Sequence, residues 1–153
     1  MAKISKIKYQ ELGAVEIFIP EKKSQHDLPL FLESVSAGFP SPADDYLEGK
    51  LDLNDHLVRN PAATFFVRVT GDSMENAGIY SGDILVVDRS IEPKNNNVII
   101  AVVDGELTVK RLNIRNKEVS LMPENSKYKP LRITEEMSFE VWGVVSTVIH
   151  SVL

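Results

Sequence analysis

The chain has 153 residues, 43% hydrophobic and 25% charged, with no cysteine and a net charge of -5 at pH 7. This is room for one ordinary domain with a core plus an arm, at a composition typical of folded proteins, and it leaves no disulfide, thiolate metal site or cysteine nucleophile. The acidic balance, uninterrupted by a basic stripe, argues against a long phosphate-binding surface and so against direct sequence-specific DNA binding.

In chain order, the start MAKISKIKYQELG carries lysines but no apolar signal region. No later stretch approaches the roughly 18 apolar residues of a membrane span, so a membrane-free, cytoplasmic protein is expected. AVEIFIP then alternates like a short strand, EKKSQHD is a polar break, and LPLFLESVSAG is apolar but interrupted by Pro29 and ended by Gly38. These pieces form an arm that needs a surface to cover Leu28, Leu30, Phe31, Leu32 and Val35. Residues 1-37 hold five basic and five acidic side chains, so their removal leaves the net charge at -5.

In the segment beginning GFPSP, Ser41 can cap a helix that has Pro42 at its first position and Asp44 and Asp45 in its first turn. Gly49 is expected to divide this region into short helices. From Thr64 onward the texture is β: TFFVRVT, DILVVD, NVIIAVV, ELTVKRL, EVSLM and SFEVWGVVSTVI, separated by short turns. The expected fold is therefore mainly β, a curled antiparallel sheet with short helices and an extended N-terminal arm. Asp104-Gly105 is a two-residue hairpin signal, since both residues tolerate positive φ.

In VRVTGDSMENAGIYSG, the Asp72-Ser73-Met74 triplet follows a strand and sits where the backbone turns. A serine there can expose its hydroxyl beside backbone N–H groups that converge as an oxyanion hole, for which Asp72 and Ser73 are the candidates. The bland alternative is that Asp72 or Ser73 only caps a short helix. A serine nucleophile needs a base, and His26, His56 and His150 are poorly placed to supply it. Nor do three scattered histidines make a metal cluster, and no cofactor is expected.

A lysine serves as base if it is neutral, and half-neutrality at pH 7 requires roughly 4.6 kcal/mol of differential environment. Only a largely buried lysine meets that. Lys110 lies inside ELTVKRL, where it and Arg111 face opposite sides of a strand, so one can be enclosed while the other reaches water. Arg111 itself cannot deprotonate. The alternative is that both are solvated edge charges.

GDSM, then SGDILVVD, then DGELTVK with its lysine 37 positions after Ser73, closely resemble the LexA/UmuD family of self-cleaving serine/lysine proteases. SAGFPSPADDYLEGKLDLN and NPAATFFVRVTGDSM extend the resemblance, on its UmuD side, over roughly residues 34 to 150. The resemblance implies a nucleophile at Ser73, a neutral base at Lys110 and scission between Ala37 and Gly38. It divides the chain into an arm, 1-37, removed by self-cleavage, and a β-rich catalytic and dimerisation domain, 38-153.

The resemblance further implies a DNA-damage (SOS) role: cleavage stimulated by a RecA-type recombinase filament, and a homodimeric product that serves a Y-family translesion DNA polymerase catalytic subunit. The arm is longer than in the best-known members. Its 37 residues show no helix-turn-helix pattern, which argues against a repressor. Two other readings are a signal-peptidase-like protease acting on foreign chains and a non-catalytic binding module of the same fold. Asp44, Asp45 and Asp83 are read as capping and turn residues, and Trp142 as core or dimer surface.

Overall fold

A computed structural model describes residues 16–18, 28–31 and 47–153. The elements in chain order are β1 (Glu16–Phe18), β2 (Leu28–Phe31), β3 (Leu47–Leu51), α1 (Leu53–Leu57), β4 (Thr64–Arg68), β5 (Ile84–Asp88) and β6 (Val98–Val103). They continue with β7 (Glu106–Arg115), β8 (Glu118–Met122), β9 (Leu131–Arg132) and β10 (Phe139–Ile149). The chain divides into two compact units, residues 22–59 and residues 1–21 with 60–153.

In the larger unit, eight strands form one sheet in the order β1-β4-β5-β10-β6-β7-β8-β9, with antiparallel pairing throughout. All six strand stretches expected from the sequence form. β6 is apolar along nearly its whole length because both its faces are covered. Ile100 joins a cluster with Phe65, Val67, Leu85 and Val87, while Ile99, Ala101 and Val103 join a second cluster with Leu112, Leu121 and Val144. Successive strand side chains point to opposite faces, so the two clusters lie on opposite sides of the sheet.

β10 curls the sheet. Its first half pairs with β6 and its second half with β5, with register breaks between Val141 and Gly143 and between Val145 and Thr147. Such bulges bend a strand and increase its twist. Gly143 permits the close approach: a Cβ there would stand 2.7 Å from Val87 Cγ1 and 3.2 Å from the Asp88 carbonyl oxygen. Because Val87 is fully buried, it has little room to retreat. Gly143→Ala is expected to destabilise the protein by about 1–3 kcal/mol, measured as a lower urea midpoint at an unchanged slope.

The Asp104-Gly105 turn forms as read, with φ of 49° and 83° at its two residues and Val103 opposite Glu106. A second tight turn, Asn116-Lys117, joins β7 to β8 with φ of 50° and 67° and without a glycine. Part of the arm belongs to this sheet: β1 lies antiparallel to β4, Ile17 opposite Val67.

In the smaller unit, β2 pairs antiparallel with β3, Leu30 opposite Gly49, and α1 begins at Asp52, whose Oδ1 accepts from the Asn54 N–H at 2.8 Å. This corrects the expectation of short helices divided at Gly49, which instead lies inside a strand. The apolar segment around Pro29 supplies β3 with a partner, and that non-local pairing overrides the local pattern; a two-stranded ribbon tolerates Pro29 because an edge strand need not donate at every position. Ser41, Pro42, Asp44, Asp45, His26 and the expected scission pair Ala37 and Gly38 lie outside the described residues.

Candidate active site

The turn that carries Ser73 hangs from β4 and is pinned at both ends. Before it, the Val69 N–H donates to the Asp83 carbonyl and the Gly82 N–H to the Val69 carbonyl, both at 2.8 Å. Gly71 then adopts φ of 92°, a conformation that side chains disfavour, and the chain reverses into Asp72-Ser73-Met74. Met74 is only 1% exposed and packs in the first core cluster with Ile79. A single 3-10 turn follows over Glu75–Ala77, ended by Gly78 at φ of 75°.

The alternative reading of Ser73 as a helix cap does not hold, because the N-cap of the 3-10 turn is Met74 and no side chain caps it. The hydroxyl instead meets the lysine. Lys110 Nζ lies 3.2 Å from Ser73 Oγ, 2.9 Å from Thr108 Oγ1 and 3.0 Å from the Val109 carbonyl oxygen. Lys110 stands opposite Ile99, a fully buried residue of central strand β6, and Thr108 lies two residues away on the same face of β7.

Burial alone pushes the Lys110 amine below its ordinary pKa, and among the described residues no carboxylate pairs with it to hold the charge. A neutral amine has two N–H groups and one lone pair. Three polar neighbours suit it: the Val109 carbonyl and the Thr108 hydroxyl can accept, and the Ser73 hydroxyl can donate to the lone pair. In that arrangement the amine is placed to accept the serine proton. Arg111 faces the other way, pairing with the Glu124 carboxylate and donating from Nη1 to the Asn96 carbonyl at 2.7 Å. The reading of both cations as solvated edge charges is thus replaced by two different, partnered environments.

Ser73 and Lys110 open on a cleft of about 180 Å³ whose apolar walls include Val67, Val69, Ile100 and Leu107. A second cleft of about 440 Å³ shares Leu107, Thr108 and Lys110 with the first and extends to Leu121, Leu131 and Met137.

Sequence reasoning missed the loop after β8. The Glu124 N–H donates to the Ser73 carbonyl at 2.8 Å, and the Asn76 N–H donates back to the Glu124 carbonyl at 2.9 Å. Asn125 Nδ2 donates to the Asp72 carbonyl at 2.8 Å. The Tyr128 hydroxyl donates to the Asp72 carboxylate, with Lys127 Nζ 3.6 Å from its other oxygen. The Tyr128 hydroxyl, followed by Lys127, holds the Asp72 carboxyl below its ordinary pKa, and the carboxylate in turn raises that of Tyr128. The run Pro123-Glu124-Asn125-Ser126 reads locally as a turn, and nothing in it signals a partner some fifty residues upstream.

Asp83 accepts from the Tyr80 N–H at 2.8 Å and stands 2.6 Å from His150 Nδ1, while His56 lies in α1. Trp142 packs beside the first core cluster, its ring edge-on to Phe65 at 6.5 Å, with the Arg89 guanidinium 5.5 Å from each ring. Among the described residues no group of three His, Asp or Glu side chains gathers as metal ligands, and no helix is long and apolar enough to cross a membrane.

The profile of the family described as peptidase S24-like matches residues 29–146. Protein SamA of Salmonella typhimurium strain LT2 is 48% identical over 132 residues, which cover 86% of this chain and 91% of that protein. Protein MucA of Escherichia coli is 43% identical over 141 residues, 91% and 94% of the two chains. Protein ImpA of Shigella flexneri is 45% identical over 135 residues, 86% and 89% of the two chains.

Proposed function

The chain belongs to the S24-like peptidase family, the self-cleaving serine peptidases of SOS mutagenesis and translesion synthesis, and on that premise we propose that Ser73 and Lys110 cut its own Ala37-Gly38 bond. The observation that carries this reading is the contact at 3.2 Å between the Ser73 hydroxyl and an amine that burial, unopposed by any carboxylate among the described residues, keeps prone to neutrality.

In the proposed reaction, Ser73 Oγ attacks the Ala37 carbonyl carbon and its proton passes to Lys110 Nζ. The carbonyl oxygen becomes an oxyanion, held by the backbone N–H groups of Asp72 and Ser73. As the carbon–nitrogen bond breaks, Lys110 delivers the proton to the Gly38 nitrogen, leaving Ala37 esterified to Ser73. Lys110 then takes a proton from a water that attacks the ester, and hydrolysis frees the arm, 1-37, and restores Ser73. Ala37 suits a small apolar cleft, and Gly38 brings no Cβ to obstruct the approach of the scissile backbone.

The proposal extends to partners. A RecA-type recombinase filament stimulates cleavage by binding the cleavable conformation more tightly than the resting one. The product, 38-153, acts in the cytoplasm as a homodimeric accessory subunit of a Y-family translesion polymerase. It retains the parent's net charge of -5, which supports attachment to a DNA-bound partner over direct sequence-specific DNA binding.

Intact-mass analysis of the purified chain, incubated alone and with recombinase filaments on single-stranded DNA, tests this reading. A new N-terminus at Gly38 that appears faster with filaments is the expected result. A chain that stays whole with filaments and in alkaline buffer overturns the reading in favour of a non-catalytic binding module.

A further inference from the structure

Two peptide carbonyls of the Ser73 turn are held by consecutive residues of the loop after β8. Asn125 Nδ2 donates to the Asp72 carbonyl and the Glu124 N–H donates to the Ser73 carbonyl, each at 2.8 Å. The first of these contacts bears on catalysis through the geometry of the peptide bond. The peptide unit is planar and trans, so its carbonyl and its N–H point in opposite directions. The Asp72 carbonyl and the Ser73 N–H belong to one such unit. Fixing the carbonyl therefore fixes the direction of the N–H.

Three further observations fit a role for that N–H. Among the described residues no acceptor takes it, although it sits in a turn whose neighbours are bonded densely. The Asn125 amide is itself oriented, because its Oδ1 accepts from the Lys127 N–H at 3.0 Å, which leaves Nδ2 to face the Asp72 carbonyl. And a carbonyl that accepts a hydrogen bond polarises its peptide unit, which makes the N–H at the other end a stronger donor. The loop carries a second hold on the same residue through Tyr128 and Lys127 at the Asp72 carboxylate.

We propose that Asn125 is a positioning residue of the cleavage reaction, one that acts through the Asp72-Ser73 peptide to aim and strengthen the Ser73 N–H as an oxyanion donor. The inference rests on the proposed function, since it presupposes an oxyanion at this turn. It predicts an effect on transition-state stabilisation and none on the ionisation of Lys110, which Asn125 does not touch.

Asn125→Asp tests it, because it keeps the Oδ1 acceptor and the shape while replacing the donor with a carboxylate oxygen that repels the Asp72 carbonyl. Asn125→Ala, which removes the donor without adding charge, is the second variant. Filament-free self-cleavage of the full chain is followed by intact mass across a series of alkaline pH values, with thermal unfolding of each variant measured alongside.

The expected result is a plateau rate roughly 10- to 100-fold lower in both variants, with the midpoint of the pH profile where the wild type has it in Asn125→Ala, the variant that adds no charge. A rate within twofold of wild type in both variants overturns the proposal. So does a rate loss accompanied by a shifted midpoint in Asn125→Ala or by lost cooperative unfolding, either of which assigns Asn125 to the dyad or to the fold instead. A wild type that shows no Ser73-dependent cut overturns the protease reading and this inference with it, whereas a wild type that cleaves as fast as both variants overturns the inference alone.

Discussion

Ser73→Ala and Lys110→Met are each expected to slow self-cleavage by at least about 10⁴-fold, and the double variant to fall no further. The physical reason is that the proposed pair acts as one device: the amine takes the proton of the attacking hydroxyl, and among the described residues no other base is bonded to that hydroxyl. At 3.2 Å the two side chains share a single hydrogen bond, and removing either end leaves the other idle. Time courses of intact mass for the three variants check this. Losses that multiply in the double variant would show that serine and lysine act independently. Lys110→Arg is expected to be as inert as Lys110→Met, because a guanidinium keeps the charge but does not deprotonate.

The wild-type rate is expected to climb with pH, about tenfold per pH unit while the amine is mostly protonated, and to level off above its pKa. The direction follows from the role: only the neutral amine accepts the Ser73 proton. Burial places the midpoint below that of an exposed lysine. The same displacement has a consequence for stability. The folded pKa lies below the unfolded one, so folding carries a cost for confining the charge that is fully present below the folded pKa and gone above the unfolded pKa. Lys110→Met removes that cost. Its stability relative to wild type is therefore expected to be greatest at neutral pH and to shrink as pH rises toward the ordinary lysine pKa, as read by urea midpoints in a buffer series. A gap that widens instead would mean the amine is charge-stabilised in the fold, which no general-base role survives.

These predictions rest on parts of the molecule that differ in how well the sequence announces them. The six strands from Thr64 onward are legible because β-branched and aromatic residues recur between turn residues, and the two-residue turn at Asp104-Gly105 needs only its own backbone freedom. β9 is not legible. It spans Leu131–Arg132 alone, and so short an element exists only because β8 offers it an edge. β3 misleads for the same reason in reverse, since Gly49 interrupts a local pattern while the partner that makes the segment a strand lies across from it in β2.

For the candidate site, sequence alone pointed to Ser73 and Lys110. The resemblance of its ordered motifs to a family of serine/lysine peptidases carried that reading, and strand alternation set Lys110 and Arg111 on opposite faces. What local pattern determines is the run of strands and their two-sided apolar character, because each depends on neighbours within a few positions.

The tertiary structure alone decided which groups those side chains meet. It brought Lys110 Nζ within 3.2 Å of Ser73 Oγ and partly buried the amine, with no carboxylate paired to it among the described residues. It also set Asn125 and Tyr128 against Asp72, 53 and 56 positions away. Contacts at such separation are set by how the sheet curls at the β10 bulges and by where each loop lands, and no short stretch of residues encodes either.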